Sequence, residues 1–164
     1  MKNKYKLAFM DMAERFGLTS TAERLKVGAL IVKNDSIIAL GCNGMPPGWP
    51  TEVCELVEYM STDAPQWLSP QDVTEEWPYT DDRRRYKLTT KPECRHAEIA
   101  ALEKLWNSSE TSSGAEMFVS HSPCKMCAIK IKTSGIKSVY YRHAYRDSAG
   151  IDYLKQNGVE VEQI

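Results

Sequence analysis

The sequence predicts an α/β protein with a sheet sandwiched between helices and at least partly parallel. Two observations carry this. Near the start, two short apolar runs flank a two-residue turn, and in the second half helical and strand patterns alternate. The first is a β-hairpin signal. The second is the pattern of crossover units, in which parallel strands are covered by the helices that connect them.

Taken in order, Tyr5, Phe9, Met12 and Phe16 recur at helical spacing with Lys4, Lys6, Asp11 and Glu14 off that face. An amphipathic helix therefore opens the chain and stops at Gly17. Residues 27–32 and 37–40 are apolar runs around Asn34-Asp35, giving the hairpin. Residues 41–91 hold most of the prolines and three of the four tryptophans, with little periodicity. They read as an unusually long loop, a feature that tends to be functional. After it come a helix over 96–106, a strand over 117–120, a helix over 124–133 and a strand over 137–141. A helix over 149–156, ending at Asn157-Gly158, and a last strand over 159–162 complete the chain.

The 164 residues suffice for one domain with its own core. Twenty-one Lys and Arg against 22 Asp and Glu leave a net charge of −1, which argues against a polynucleotide-binding surface. A small anionic ligand is still allowed, because it needs only two or three cations. No apolar run is long enough to span a bilayer, and Met1-Lys2-Asn3-Lys4 leads into an amphipathic pattern rather than a signal peptide. An intracellular location follows, so the five cysteines read as metal ligands or spare thiols rather than disulfides.

The chemistry concentrates in His96-Ala97-Glu98 and Pro123-Cys124-Lys125-Met126-Cys127, each opening a predicted helix. Cys124 and Cys127 are three apart, so their sulfurs share a helix face, and a helix N-terminus favours the thiolate. With His96 they make three ligands and leave a fourth tetrahedral position for water, the arrangement of a catalytic rather than a structural zinc. Glu98 is the acid–base group beside that water. Either half alone is weak: a lone C-x-x-C is often redox-active or structural. A structural site, however, needs a fourth ligand, and His121 is the only one near the pair. Together the halves form H-x-E…P-C-x-x-C, the signature of zinc nucleobase deaminases.

The likeness extends further. Residues 27–32 (VGALIV), 41–48 (GCNGMPPG), Cys94 just before His96-Ala97-Glu98, and Tyr145-Arg146-Asp147-Ser148 resemble the deoxycytidylate (dCMP) deaminases. The resemblance covers nearly the whole chain except about 49–90. It implies the three-layer α/β/α cytidine-deaminase-like fold with a mixed five-stranded sheet, one domain over 1–164 and a loop-rich insert at about 49–90. The implied activity is a zinc-dependent hydrolase acting on a cyclic amidine C–N bond, turning dCMP and water into dUMP and ammonia for thymidylate synthesis. It places Asn43 and Ala97 at the substrate and Tyr145 near the sugar-phosphate end. A monophosphate also needs cationic donors, and Arg24, Lys26 and Arg146 flank the family-like segments. The resemblance further implies a cytoplasmic homo-hexamer (in the host cytoplasm for a viral enzyme), activated by dCTP and inhibited by dTTP with magnesium. The 41–48 loop, through Asn43, Gly44 and Gly48, is the expected seat of that control.

Cys42 and Ala100 depart from the family pattern, where an aromatic residue and Asn are common, and the insert is long. Its run Asp81 to Arg85 reads as a solvated face. Cys54 and Cys94 lack further ligands for a second zinc and read as one buried and one spare thiol. Two other functions compete. A nucleoside or polynucleotide cytosine deaminase would share the zinc motif, but a single-strand binder would carry a basic, aromatic-interleaved stripe. A non-catalytic zinc nucleotide-binding module would lack the glutamate, yet Glu98 is present.

Overall fold

The computed structural model describes residues 1–59, 78–80 and 85–164. Helix α1 (Asn3–Gly17) leads into the hairpin β1 (Gly28–Lys33) and β2 (Ser36–Cys42). Asn34 and Asp35 both take positive φ, 50° and 59°, the left-handed pair that a tight two-residue hairpin requires. Strands β3 (Cys54–Tyr59), β4 (Tyr79–Thr80) and β5 (Arg85–Thr90) follow, then α2 (Ala97–Glu103), β6 (Glu116–His121), α3 (Lys125–Thr133), β7 (Ser138–His143), α4 (Ala149–Gln156) and β8 (Glu160–Gln163).

The main sheet has five strands in the order β2-β1-β6-β7-β8. Strand β1 is antiparallel to both β2 and β6, whereas β6, β7 and β8 run parallel, so the mixed sheet expected from the sequence is present. Alternate side chains serve opposite faces. Leu30, Val32, Phe118 and Tyr140 pack with Met10 and Ala13 of α1. Ala29, Ile31, Met117, Val119 and Val139 face Ala97 and Ala101 of α2, Ala128 and Ile131 of α3 and Leu154 of α4. One helix thus covers one face, and three helices cover the other.

Three expectations are corrected. The inward stripe of α1 is Met10, Ala13 and Gly17, while Tyr5 and Met12 are about half exposed. Close approach decides this: a Cβ on Gly28 would lie 1.9 Å from the Ala13 carbonyl oxygen, so only small residues fit where the helix crosses β1. Helix α2 ends at Glu103 rather than at residue 106. Its last turn tightens into i→i+3 bonds from Leu105 and Trp106, and Trp106 projects into solvent. Finally, the stretch read as loop contains a second, antiparallel sheet ordered β3-β5-β4. Residues 81–84 of the supposed solvated run lie outside the described residues, and Arg85, the last of it, is buried.

Candidate functional site

Helices α2 and α3 begin side by side on the same face of the main sheet. His96 and Cys124 are their N-cap residues, both with extended backbone, while Glu98 and Cys127 occupy the first turns. Strand β6 delivers the chain to Cys124 through Ser122-Pro123, and that turn is braced from the neighbouring strand. The Ser122 amide donates to the His143 carbonyl at 2.8 Å, and the Tyr145 amide donates to the Ser122 hydroxyl at 2.7 Å. Helix α4 presses on the same turn: a Cβ on Gly150 would sit 1.9 Å from the Pro123 carbonyl oxygen.

The His96 Nδ1 lies 3.6 Å from Cys124 Sγ and 3.3 Å from Cys127 Sγ, and the three donor atoms all fall within 4.8 Å of one another. A tetrahedral zinc with ordinary bonds, about 2.3 Å to sulfur and about 2.05 Å to nitrogen, sets such N···S edges at about 3.5 Å. The donor set and its spacing therefore fit zinc. Hydrogen bonds from Cys127 and then His96 lower Cys124 to about 4, whereas its bond to Cys124 and burial push Cys127 up. Cys124 is thus a thiolate at neutral pH, as a ligand must be. Its hydrogen bond also raises the pKa of His96 against the effect of burial. Glu98 is 4% exposed, and burial raises its carboxyl pKa, opposed by its own backbone amide and by His96. A carboxyl shifted upward in this way is suited to proton transfer near neutral pH.

His96, Glu98 and Cys124 form the floor of an open cavity of about 400 Å³, within the range of small-ligand pockets, and Cys127 lies buried beside them. Of the residues expected at the substrate, Asn43, Ala97, Tyr145, Arg24 and Arg146 line it. Lys26 does not: it faces an adjoining hollow with Asp11, Glu14, Arg15 and His121. Asn43 also braces the wall. Its Oδ1 accepts from the Val27 amide at 2.9 Å and its Nδ2 donates to the Leu25 carbonyl at 2.8 Å, leaving one amide hydrogen for a ligand. Gly44 and Gly48 lie outside the lining, in the loop that follows. That loop is tied to the residue before His96: Gly44 and Arg95 exchange backbone bonds at 2.9 and 3.1 Å, and the Arg95 guanidinium bonds Glu103 at 2.5 Å.

Several lining residues were not anticipated. Pro78, Tyr79 and Thr90 come from the small sheet, and Cys94 and His121 complete the wall. Cys94, read as a spare thiol, is half-buried, and burial raises its pKa. Period and spacing could not have found Tyr79 or Thr90, because Tyr79 is placed by the pairing of β4 with β5 and Thr90 by the pairing of β5 with β3.

An α/β/α sandwich with a His-Cys-Cys zinc site and a buried glutamate defines the class of zinc-dependent nucleobase hydrolases. Residues 3–143 match the family model for the cytidine and deoxycytidylate deaminase zinc-binding region, and the chain belongs to that family. The dCMP deaminase of cyanophage S-TIM5, solved in complex with dCMP and dUMP, is 39% identical. It aligns over 100% of this chain and 99% of its own, with a TM-score of 0.77. The deoxycytidylate deaminase of Enterobacteria phage T4 is 33% identical over 83% of this chain and 77% of its own. ComE operon protein 2 of Bacillus subtilis is 31% identical over 95% of this chain and 69% of its own.

Proposed function

We propose that this protein deaminates dCMP hydrolytically, consuming water and releasing dUMP and ammonia. The observation that carries the reading is the donor triangle of His96, Cys124 and Cys127 at the floor of a cavity that buried Glu98 also lines and Arg24 and Arg146 wall. The similarity to an enzyme solved with dCMP and dUMP supports the substrate.

Zinc held by His96, Cys124 and Cys127 supplies a Lewis acid that makes water nucleophilic at neutral pH. The carboxylate of Glu98 takes the proton as the water oxygen bonds to C4 of cytosine and passes it to ring N3. It then takes the remaining proton from the C4 hydroxyl and delivers it to the 4-amino group, which leaves as ammonia as the C4 carbonyl forms. Burial of Glu98 keeps bulk water from competing for these protons. Ala97, buried at the first turn of α2, brings backbone against the base, while Asn43 offers its free amide hydrogen to the sugar. Tyr145, Arg24 and Arg146 serve the sugar-phosphate end.

The same reading assigns control to the 41–48 loop, with dCTP activating, dTTP inhibiting and magnesium accompanying the effector. The bonds from Gly44 to Arg95 support it, because they couple the loop directly to the residue preceding His96. A cytoplasmic homo-hexamer is the assembly that accompanies it.

The deciding experiment is ammonia release from dCMP, CMP, deoxycytidine and dCTP, with magnesium and with or without each triphosphate. Preference for dCMP, raised by dCTP and lowered by dTTP, is the expected result. Preference for deoxycytidine, or turnover of none of them, overturns the substrate assignment, and indifference to both triphosphates removes the regulatory part alone.

A further inference from the structure

We infer that the three-stranded sheet is the phosphate-reading wall of the pocket, with Thr90 holding Arg24 beside Tyr79 to receive the 5′-phosphate of the substrate. The inference rests on the dCMP reading above and goes beyond it by naming the element that selects a monophosphate over a free nucleoside.

Arg24 belongs to the main body, yet its hydrogen-bond partner belongs to the small sheet. Its Nη1 donates to Thr90 Oγ1 at 3.2 Å, and its charge acts on the neighbouring Tyr79 phenol. Tyr79 in turn stacks on Tyr86 at 5.6 Å and 23°, and Tyr59 meets Tyr86 edge-on at 6.0 Å. The pairing of β5 with both neighbours sets this row, since Tyr86 is the register partner of Tyr79 on one side and of Tyr59 on the other. The phenol is therefore fixed by two strands rather than by its own short one.

Three features point to an anion. Among the described residues Arg24 has no carboxylate within ion-pairing distance, unlike Arg95 or Arg142. One neutral hydroxyl, that of Thr90, orients it and leaves most of its five N–H donors available. Burial raises the Tyr79 pKa above that of an ordinary phenol, so the hydroxyl keeps its proton and can donate to a phosphate oxygen. An oriented guanidinium next to a protonated hydroxyl is suited to bidentate phosphate binding. The other arginine of the pocket, Arg146, is exposed and rests 5.9 Å from the Tyr145 ring, a placement that leaves it free to follow the ligand.

The test measures kcat and KM for dCMP and for deoxycytidine in the wild type and in Arg24→Ala, Arg24→Lys, Tyr79→Phe and Thr90→Val, with zinc content and circular dichroism as controls on folding. Arg24→Ala is expected to lower the preference for dCMP about a hundredfold, through KM for dCMP, as the loss of a charge-assisted bond predicts. Arg24→Lys recovers part of it. Tyr79→Phe and Thr90→Val lower it about five- to tenfold, again in KM. A loss shared equally by both substrates, or full retention of the dCMP preference in Arg24→Ala, overturns the inference. A wild-type enzyme that already favours deoxycytidine overturns instead the dCMP reading on which it rests, before any variant is compared.

Discussion

The two sheets meet at one pocket but are built on opposite terms. In the five-stranded sheet Ala29, Ile31, Met117, Phe118, Val119 and Val139 have no solvent exposure, and helices cover both faces. In the three-stranded sheet Leu56, Val57 and Tyr59 are 39–56% exposed, and no helix packs on it among the described residues. The first holds the groups that must not move, the zinc ligands and Glu98. The second carries side chains that meet the variable end of a ligand. Deep burial fixes geometry because the interior is close-packed and resists displacement. A lightly packed sheet opens locally at little free-energy expense, which suits a wall past which substrate enters and product leaves.

Substitutions in the two regions should differ accordingly. Glu98→Gln, on the rigid floor, is expected to reduce kcat about a thousandfold while zinc content and the melting curve stay near wild type. Activity within tenfold of wild type would mean that another group moves the proton. Phe118 packs against Phe9 and stacks on Tyr140 at 4.7 Å. Phe118→Ala should destabilise the protein by about 3–5 kcal/mol, whereas Leu56→Ala in the small sheet should change stability by about 0.5 kcal/mol or less. Denaturant titration reads both, and similar values would erase the contrast. Gly150→Ala forces a Cβ against the Pro123 carbonyl oxygen and is expected to cost about 1–3 kcal/mol, with zinc affinity falling alongside when measured by competition with a chelator.

The smallest expected effect is on pH dependence and involves His121 at the edge of the rigid region. Burial lowers its pKa below 6.5, the nearby His143 adds to this, and Glu14 opposes it. The unfolded chain therefore binds the proton first, so stability falls as pH drops below about 6.5 and levels off once the folded imidazole is also protonated. His121→Gln should make that slope shallower than in the wild type. An unchanged difference curve would show that His121 carries none of it.

The floor was readable in the sequence because its information is local. His96 with Glu98, and Cys124 with Cys127, each sit together at a helix start, so their closeness could be read from position alone. The hairpin was equally open to reading, since Asn34-Asp35 is short, polar and tolerant of positive φ. The wall was not. Strands β3 and β5 interleave Glu55, Glu58 and Lys87 with Leu56 and Leu88, a pattern diluted by exposure on both faces and by the flanking prolines. Tyr79 reaches the pocket only by pairing with Tyr86. The face of α1 was misread for a related reason. Bulk suggested Tyr5 and Met12, but the helix lies so close to Gly28 that small side chains face inward, a constraint visible only once both elements are in place.

The contact of Gly150 with Pro123 bears on how the protein acquires its metal. Helix α4 supplies none of the candidate ligands, yet it packs on the backbone from which Cys124 projects, and Ser122 is held from β7 as well. The ligand turn is therefore shaped by packing that folding completes on its own account. Binding the ion need not organise a loose loop, so little of its binding free energy is diverted to ordering chain. Zinc would thus complete a finished receptacle rather than nucleate a fold, and a chelator should strip it from a chain that stays folded and accepts the metal back without refolding.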